Sequence, residues 1–108
     1  MTRIALLQMT SGIDPGANAA TIARGVADAA RDGAAMLFTP EMAGLLDRER
    51  ARAAPHIVPE EENAVLAATR DAARSANIWV ALGSLAIQRS DRRWANRSLL
   101  IAPDGAIA

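Results

Sequence analysis

Cysteine and lysine are both absent from the 108 residues of the chain, and all twelve basic residues are arginine. The lack of cysteine excludes disulfide bonds and thiolate metal sites within these residues. A catalytic cysteine or a catalytic lysine therefore cannot come from this segment.

Net charge and long apolar runs are missing as well. Twelve acidic residues balance the twelve basic ones, so no net field attracts nucleic acid or an anionic membrane. The first apolar run, residues 4–7, is too short for a signal-peptide core or a membrane span. We therefore expect a cytoplasmic protein without nucleic-acid or membrane partners, whose function depends on a local site.

What is present is a pattern of alternating strands and helices. Residues 3–9 form a nearly continuous apolar run, typical of a strand covered on both faces of an α/β sheet. Apolar residues then recur at helical spacing over residues 19–30, up to a stop at Gly33. A second strand is expected at residues 35–38, ended by Pro40, because proline cannot donate to a continuing ladder.

The second half of the chain predicts another helix and a hairpin. Pro59 is expected to open the helix, because the glutamates at residues 60–62 suit the positive end of its dipole, and Asn77 is expected to cap its end. Further strands are expected at residues 78–87 and 96–101, with a polar turn at 89–93 and the start of another strand at 106–108.

This order of elements predicts an α/β fold. The order strand, helix, strand, helix, strand indicates a parallel sheet with helices on a face, and the last two strands add an antiparallel hairpin. Without repeats or linkers, residues 1–108 are expected to form a single domain. That domain lacks a third helix and a cover for its last strand, so we interpret it as truncated.

Glu41 is the leading candidate for a catalytic residue. It follows the C-terminal end of the second strand, and ligand crevices in open α/β sheets lie at such ends. An apolar strand behind the carboxylate would partly desolvate it and favour a role as a base. The alternative is that Glu41 begins a helical turn at residues 42–46 and stabilises its dipole. Position alone favours neither interpretation.

Three segments in order resemble the nitrilase superfamily of carbon-nitrogen hydrolases. They are the apolar strand at residues 3–8, Phe38-Thr39-Pro40-Glu41 followed by Met42-Ala43-Gly44, and Asn96-Arg97-Ser98 leading to Pro103-Asp104-Gly105. The resemblance covers the whole chain. It implies the N-terminal part of a four-layer α-β-β-α sandwich from an amidase-like member, a homo-oligomer, and no metal or organic cofactor.

The resemblance also implies a mechanism. In this family the glutamate that Glu41 matches acts with a lysine and a cysteine from later segments. The cysteine attacks a small amide, such as an ω-amide of a carboxylic acid, or a nitrile, and a thioester acyl-enzyme forms. Glu41 would take the thiol proton, while the lysine and a backbone N–H stabilise the oxyanion. Because this chain lacks both partners, we expect it to be inactive alone.

Other polar residues carry weaker signals. His56 has no second ligand at suitable spacing, which favours surface or loop packing over a metal site. The alternating arginines Arg48, Arg50 and Arg52 are typical of a solvated surface. Their place soon after Glu41 leaves contact with a substrate as the alternative.

Two further patterns bear on competing functions. Gly83-Ser84 lacks the surroundings of a serine nucleophile and is interpreted as a bend in a strand. Residues 10–14, after the first strand, contain no glycine-rich phosphate loop, which argues against a nucleotide-binding module. The remaining alternative to a hydrolase is a non-catalytic α/β interaction module of the same fold.

Overall fold

The computed structural model describes residues 2–108, which form one four-stranded sheet with helices between its first three strands. The strands are β1 (Ile4–Leu6), β2 (Met36–Phe38), β3 (Trp79–Gln88) and β4 (Trp94–Ile101). The helices are α1 (Pro15–Arg31), α2 (Arg50–Ala53) and α3 (Ala64–Ala76), with 3₁₀ helices at Ala54–His56 and Glu60–Glu62. β1, β2 and β3 run parallel and β4 is antiparallel to β3, which confirms the predicted α/β order.

The first helix has clear signals at both ends. The Asp14 carboxylate accepts two backbone N–H groups of the first turn, at 2.9 and 3.4 Å, and Pro15 occupies the first helical position. The predicted stop is confirmed at Gly33, whose φ of 81° suits glycine. At 17 residues α1 is the longest helix, and no helix within residues 2–108 is long and apolar enough to cross a membrane.

The second long helix begins later than predicted. Glu60–Glu62 form a separate 3₁₀ helix, so the expectation that Pro59 opens α3 is wrong. The cause is Asn63, whose side-chain oxygen accepts the N–H of Leu66 at 2.8 Å and caps the helix from an extended backbone. Asn77 does end α3, in the left-handed conformation with φ of 57°.

The main core lies between the sheet and the two long helices. Strand pairing aligns one inward-facing residue from each strand: Ala5, Leu37, Val80 and Ile101. The last three are at most 2% exposed, and they pack with side chains of both helices, among them Ile22 and Leu66. Burying each such aliphatic side chain contributes about 1.5–3 kcal/mol.

The opposite face of the sheet is open. Its central row consists of Leu6, Phe38, Ala81 and Leu100. Leu6 is 73% exposed and Ile4 in the same strand is 56% exposed, so the expectation that β1 is covered on both faces is wrong for the described residues. In the four-layer sandwich expected from the resemblance, a second sheet would pack on this apolar face.

The hairpin and the chain end agree with the sequence pattern. The turn between β3 and β4 is closed by the Arg89 N–H, which donates to the Arg93 carbonyl at 2.7 Å. After β4 the chain folds back, and the Ala108 N–H donates to the Leu100 carbonyl at 2.9 Å. The strand predicted to begin at residues 106–108 is thus present as a short antiparallel bridge.

Candidate active site around Glu41

Glu41 lies in a tight turn that directly follows β2. The turn consists of Glu41 and Met42, and the next helix begins only at Arg50. Met42 adopts the left-handed conformation, with φ of 53°, which a right-handed helical turn does not contain. The alternative in which Glu41 begins a helix at residues 42–46 is therefore wrong. Glu41 is exposed at the C-terminal end of the strand, so the expectation that the strand partly desolvates its carboxylate is wrong for the described residues.

On its N-terminal side the turn is fastened to the middle of β3. The Thr39 N–H donates to the Ala81 carbonyl at 3.0 Å, and the Gly83 N–H donates to the Thr39 hydroxyl at 3.1 Å. A Cβ on Gly83 would stand 2.5 Å from the carbonyl carbon and oxygen of Pro40 and 2.7 Å from the nitrogen of Glu41. The peptide group between Pro40 and Glu41 thus packs directly against Gly83, where only glycine fits.

On its C-terminal side the turn is held by one residue of the same strand. The Met42 N–H donates to the Ser84 hydroxyl at 2.9 Å, and the Ala43 N–H donates to the Ser84 carbonyl at 3.1 Å. Ser84 is 5% exposed. The backbone is therefore fixed on both sides of Glu41 by consecutive residues of β3.

β3 is bulged where it holds the turn. Pairing with β4 is regular up to Leu82 and resumes at Leu85, so Gly83 and Ser84 lie opposite Ser98 alone. The Ser98 hydroxyl donates to the Gly83 carbonyl at 2.6 Å. The bend predicted at Gly83-Ser84 is confirmed, and it is the point of attachment for the Glu41 turn.

A buried asparagine joins this region to α1. Asn18 is 4% exposed, and its side-chain nitrogen donates to the carbonyls of Gly44 and Gly12 at 2.9 and 3.0 Å. Its oxygen accepts the Gly12 N–H at 3.0 Å. Asn18 was not identified from the sequence, although its place four residues before Ile22, on the buried face of α1, is a signal of a polar residue with a special role.

The segment between the turn and α3 packs on the β3–β4 hairpin. It forms a small second core from Leu45, Ala53 and Ile57, against Ala86 and Trp94. The Arg50 guanidinium lies 4.3 Å from the centroid of the Trp94 ring, a cation–π contact. Arg48, Arg50 and Arg52 are all exposed, as predicted. His56 is also exposed, and residues 2–108 contain no group of three or more side chains that could hold a metal ion.

The carboxylate of Asp47 anchors this segment through an ion pair. Its side chain is only 1% exposed and lies 2.6 Å from Nε of Arg52. The hydrogen bond from Arg52, helped by the backbone N–H of Glu49, lowers the pKa of Asp47 from 3.8 to about 2. The pair thus stabilises the charged form of the carboxylate in the folded protein.

The lowered pKa of Asp47 predicts a specific acid sensitivity. Since the folded pKa lies below the unfolded one, the pair stabilises the protein fully above pH 3.8, and this contribution is lost as the pH falls towards about 2. Chemical denaturation at a series of pH values measures the free energy of unfolding. Across this range Asp47→Asn should lose less stability than the wild type. Identical losses would contradict the stabilising role of the Asp47–Arg52 pair.

A pocket adjoins the Glu41 turn. Its volume is about 380 Å³, and its walls include Met42, Arg48, Trp94 and Asn96. Glu41, which precedes Met42 in the turn, is exposed and does not itself line this pocket. The hydrogen-bonded turn thus has an exposed glutamate at its first position and a cavity wall at its second.

A comparison with protein-family models agrees with this geometry. The model described as carbon-nitrogen hydrolase matches residues 3–108. The chain belongs to the carbon-nitrogen hydrolase family. No match was found among curated proteins.

Solved structures of other proteins show the same fold. An amidase from Nesterenkonia sp. is 27% identical, with a TM-score of 0.83 over 99% of this chain and 40% of that chain. The NitFhit protein of C. elegans is 25% identical, with a TM-score of 0.84 over 99% of this chain and 27% of that chain. The nitrilase-superfamily resemblance is thus confirmed. This chain spans about two fifths of the length of the amidases that it matches.

The Nesterenkonia amidase also has a group that this chain lacks. A mutant of that amidase with glutamate replaced by glutamine shows acrylamide added at the active site cysteine. No cysteine occurs in the 108 residues here.

Proposed function

We propose that residues 1–108 are the N-terminal part of a longer carbon-nitrogen hydrolase domain, in which Glu41 is the general base. That longer domain is called the complete domain below. The observation that carries the proposal is the placement of Glu41, exposed at the end of β2 and fixed on both sides by β3. A base needs this kind of fixed position, because proton transfer requires hydrogen-bond reach to the reacting group.

In the proposed reaction, the missing groups come from segments that follow this chain. A cysteine thiol has an ordinary pKa of about 8.5 and is mostly protonated at pH 7, so it requires a base. Glu41 takes the thiol proton as sulfur attacks the amide carbon, and gives it to the departing ammonia. Glu41 then activates the water that hydrolyses the thioester, and a lysine with a backbone N–H stabilises each oxyanion.

The substrate is proposed to be a small amide rather than a nitrile. Variants of the Nesterenkonia amidase have been solved with acrylamide and with butyramide, which are both short amides. The pocket of about 380 Å³ beside Met42 suits an acyl group of that size. An ω-amide of a carboxylic acid would in addition present its carboxylate to the exposed Arg48 in the wall of this pocket.

The remaining expectations follow from the family resemblance, the balanced charge of the chain and the shortness of its first apolar run. We propose a cytoplasmic homo-oligomer that works without a metal or an organic cofactor and does not bind nucleic acid or membranes. These properties apply to the complete domain.

Residues 1–108 alone should release no ammonia from short amides, because they contain neither cysteine nor lysine. A coupled ammonia assay on the purified chain measures this, with buffer as the reference. Release that depends on Glu41 would contradict the proposed triad.

The residues that follow Ala108 in the complete domain should include a lysine soon after it and a strand-ending cysteine further on. Absence of both would favour a non-catalytic α/β interaction module.

A further inference from the structure

We propose that Ser84 is a positioning residue for Glu41, acting through the backbone of Met42. The inference rests on the proposed role of Glu41 as the base. In this proposal the Ser84 hydroxyl, on the neighbouring strand β3, fixes the direction of the Glu41 carboxylate. Ser84 itself does not touch the reacting atoms.

The backbone after Glu41 adopts a conformation that needs support. Met42 has φ of 53°, a region that residues with a side chain rarely adopt. Its N–H is held by the Ser84 hydroxyl at 2.9 Å, and the next N–H, of Ala43, is held by the Ser84 carbonyl at 3.1 Å. Ser84 therefore supplies the acceptors for two consecutive N–H groups that follow the glutamate.

The bulge in β3 explains how one residue can supply both acceptors. Regular pairing with β4 stops after Leu82 and resumes at Leu85, so the backbone of Ser84 is released from the ladder with β4. The bulge is itself fixed, because the Ser98 hydroxyl donates to the Gly83 carbonyl at 2.6 Å. Ser84 is 5% exposed, which protects its hydrogen bond to Met42 from water.

Loss of the hydroxyl should affect catalysis more than substrate binding. In Ser84→Ala the Met42 N–H loses its acceptor, and the turn that directs the Glu41 carboxylate becomes free to move. A displacement of about 1 Å at a catalytic group can cost up to about a hundredfold in rate. We expect kcat to fall about tenfold to a hundredfold in the complete domain, with KM nearly unchanged.

A buried hydroxyl elsewhere in the chain provides the matched control. Thr69 is 1% exposed, and its hydroxyl donates to the Val65 carbonyl at 2.8 Å within α3. Thr69→Val removes a hydroxyl of similar burial without touching the Glu41 turn. Its kcat and KM should equal those of the wild type.

The experiment measures kcat and KM for a short amide together with hydrogen exchange of the Met42 amide. The complete domain is compared as wild type, Ser84→Ala and Thr69→Val. Ser84→Ala should lose kcat and exchange the Met42 amide much faster, while Thr69→Val changes neither quantity. Normal kcat in Ser84→Ala, or an equal loss in both variants, would overturn the proposal.

Hydrogen exchange separates this inference from the proposed function. Unchanged protection of the Met42 amide in Ser84→Ala overturns the positioning role, whatever the activity. If the wild type hydrolyses no amide or nitrile, the base role of Glu41 fails and the catalytic part of this inference is overturned with it. Faster exchange in Ser84→Ala would then support only the backbone contact to Met42.

Discussion

Gly83→Ala is expected to lower kcat for a short amide by about a hundredfold in the complete domain, and to destabilise the fold by about 1–3 kcal/mol. The added Cβ would lie 2.5 Å from the carbonyl group of Pro40 and 2.7 Å from the nitrogen of Glu41. These are backbone atoms, so the clash is relieved only by moving the turn that carries the carboxylate. Ammonia release measures the first effect, and urea denaturation measures the second.

Gly12→Ala is the matched control for this substitution. A Cβ on Gly12 would meet only the side-chain oxygen of Asn18, at 3.9 Å, which is an ordinary contact. Activity and stability should therefore stay close to those of the wild type. Equal effects of the two substitutions, or normal kcat in Gly83→Ala, would show that the close approach of β3 to the turn does not matter for catalysis.

Glu41→Gln is expected to lower kcat by about 10²–10⁴-fold or more, the range that general acid–base catalysis contributes. The amide has nearly the same shape as the carboxylate but cannot take the thiol proton. Because Glu41 is exposed, the fold should keep its stability. Steady-state kinetics at saturating amide, with circular dichroism for the fold, measure both expectations.

The control for Glu41→Gln is the same substitution at Glu61, another exposed carboxylate. Glu61 lies in the 3₁₀ helix before α3, so Glu61→Gln should leave kcat unchanged. Near-normal turnover in Glu41→Gln, with the cysteine still required, would rule out the base assignment.

The order of the elements was predictable because local signals agreed with the tertiary structure. α1 has Asp14 and Pro15 at its start, Gly33 after its end, and an apolar stripe between them, so cap and periodicity indicate the same helix. The strand before Glu41 was equally clear, because Pro40 fixes its end. These features depend on neighbours in the sequence.

The conformation around Glu41 depends instead on contacts between distant residues. Met42 is left-handed and its N–H donates to Ser84, far along the chain, and no local residue pattern indicates that conformation. The bulge did leave a trace: buried positions alternate through Val80 and Leu82, then change phase to Leu85 and Ile87. That change of phase predicts an inserted residue at Gly83-Ser84.

Two predictions were wrong, each for its own physical reason. The three glutamates at residues 60–62 suit a helix dipole, yet the hydrogen bond that the Asn63 side chain accepts from the Leu66 N–H decides where α3 begins. The apolar run in β1 indicates burial on both faces, yet Leu6 is exposed because no described residue packs on that side. An apolar sequence pattern indicates which faces of a strand can be buried, but only the structure shows whether other residues cover them.

Ammonia release from a short amide by the complete domain tests whether Glu41 of this chain is the base of a carbon-nitrogen hydrolase. We expect release by the wild type, loss of that release in Glu41→Gln, and no release by residues 1–108 alone. A folded complete domain that releases no ammonia from any short amide or nitrile, or that keeps full activity in Glu41→Gln, would contradict this assignment.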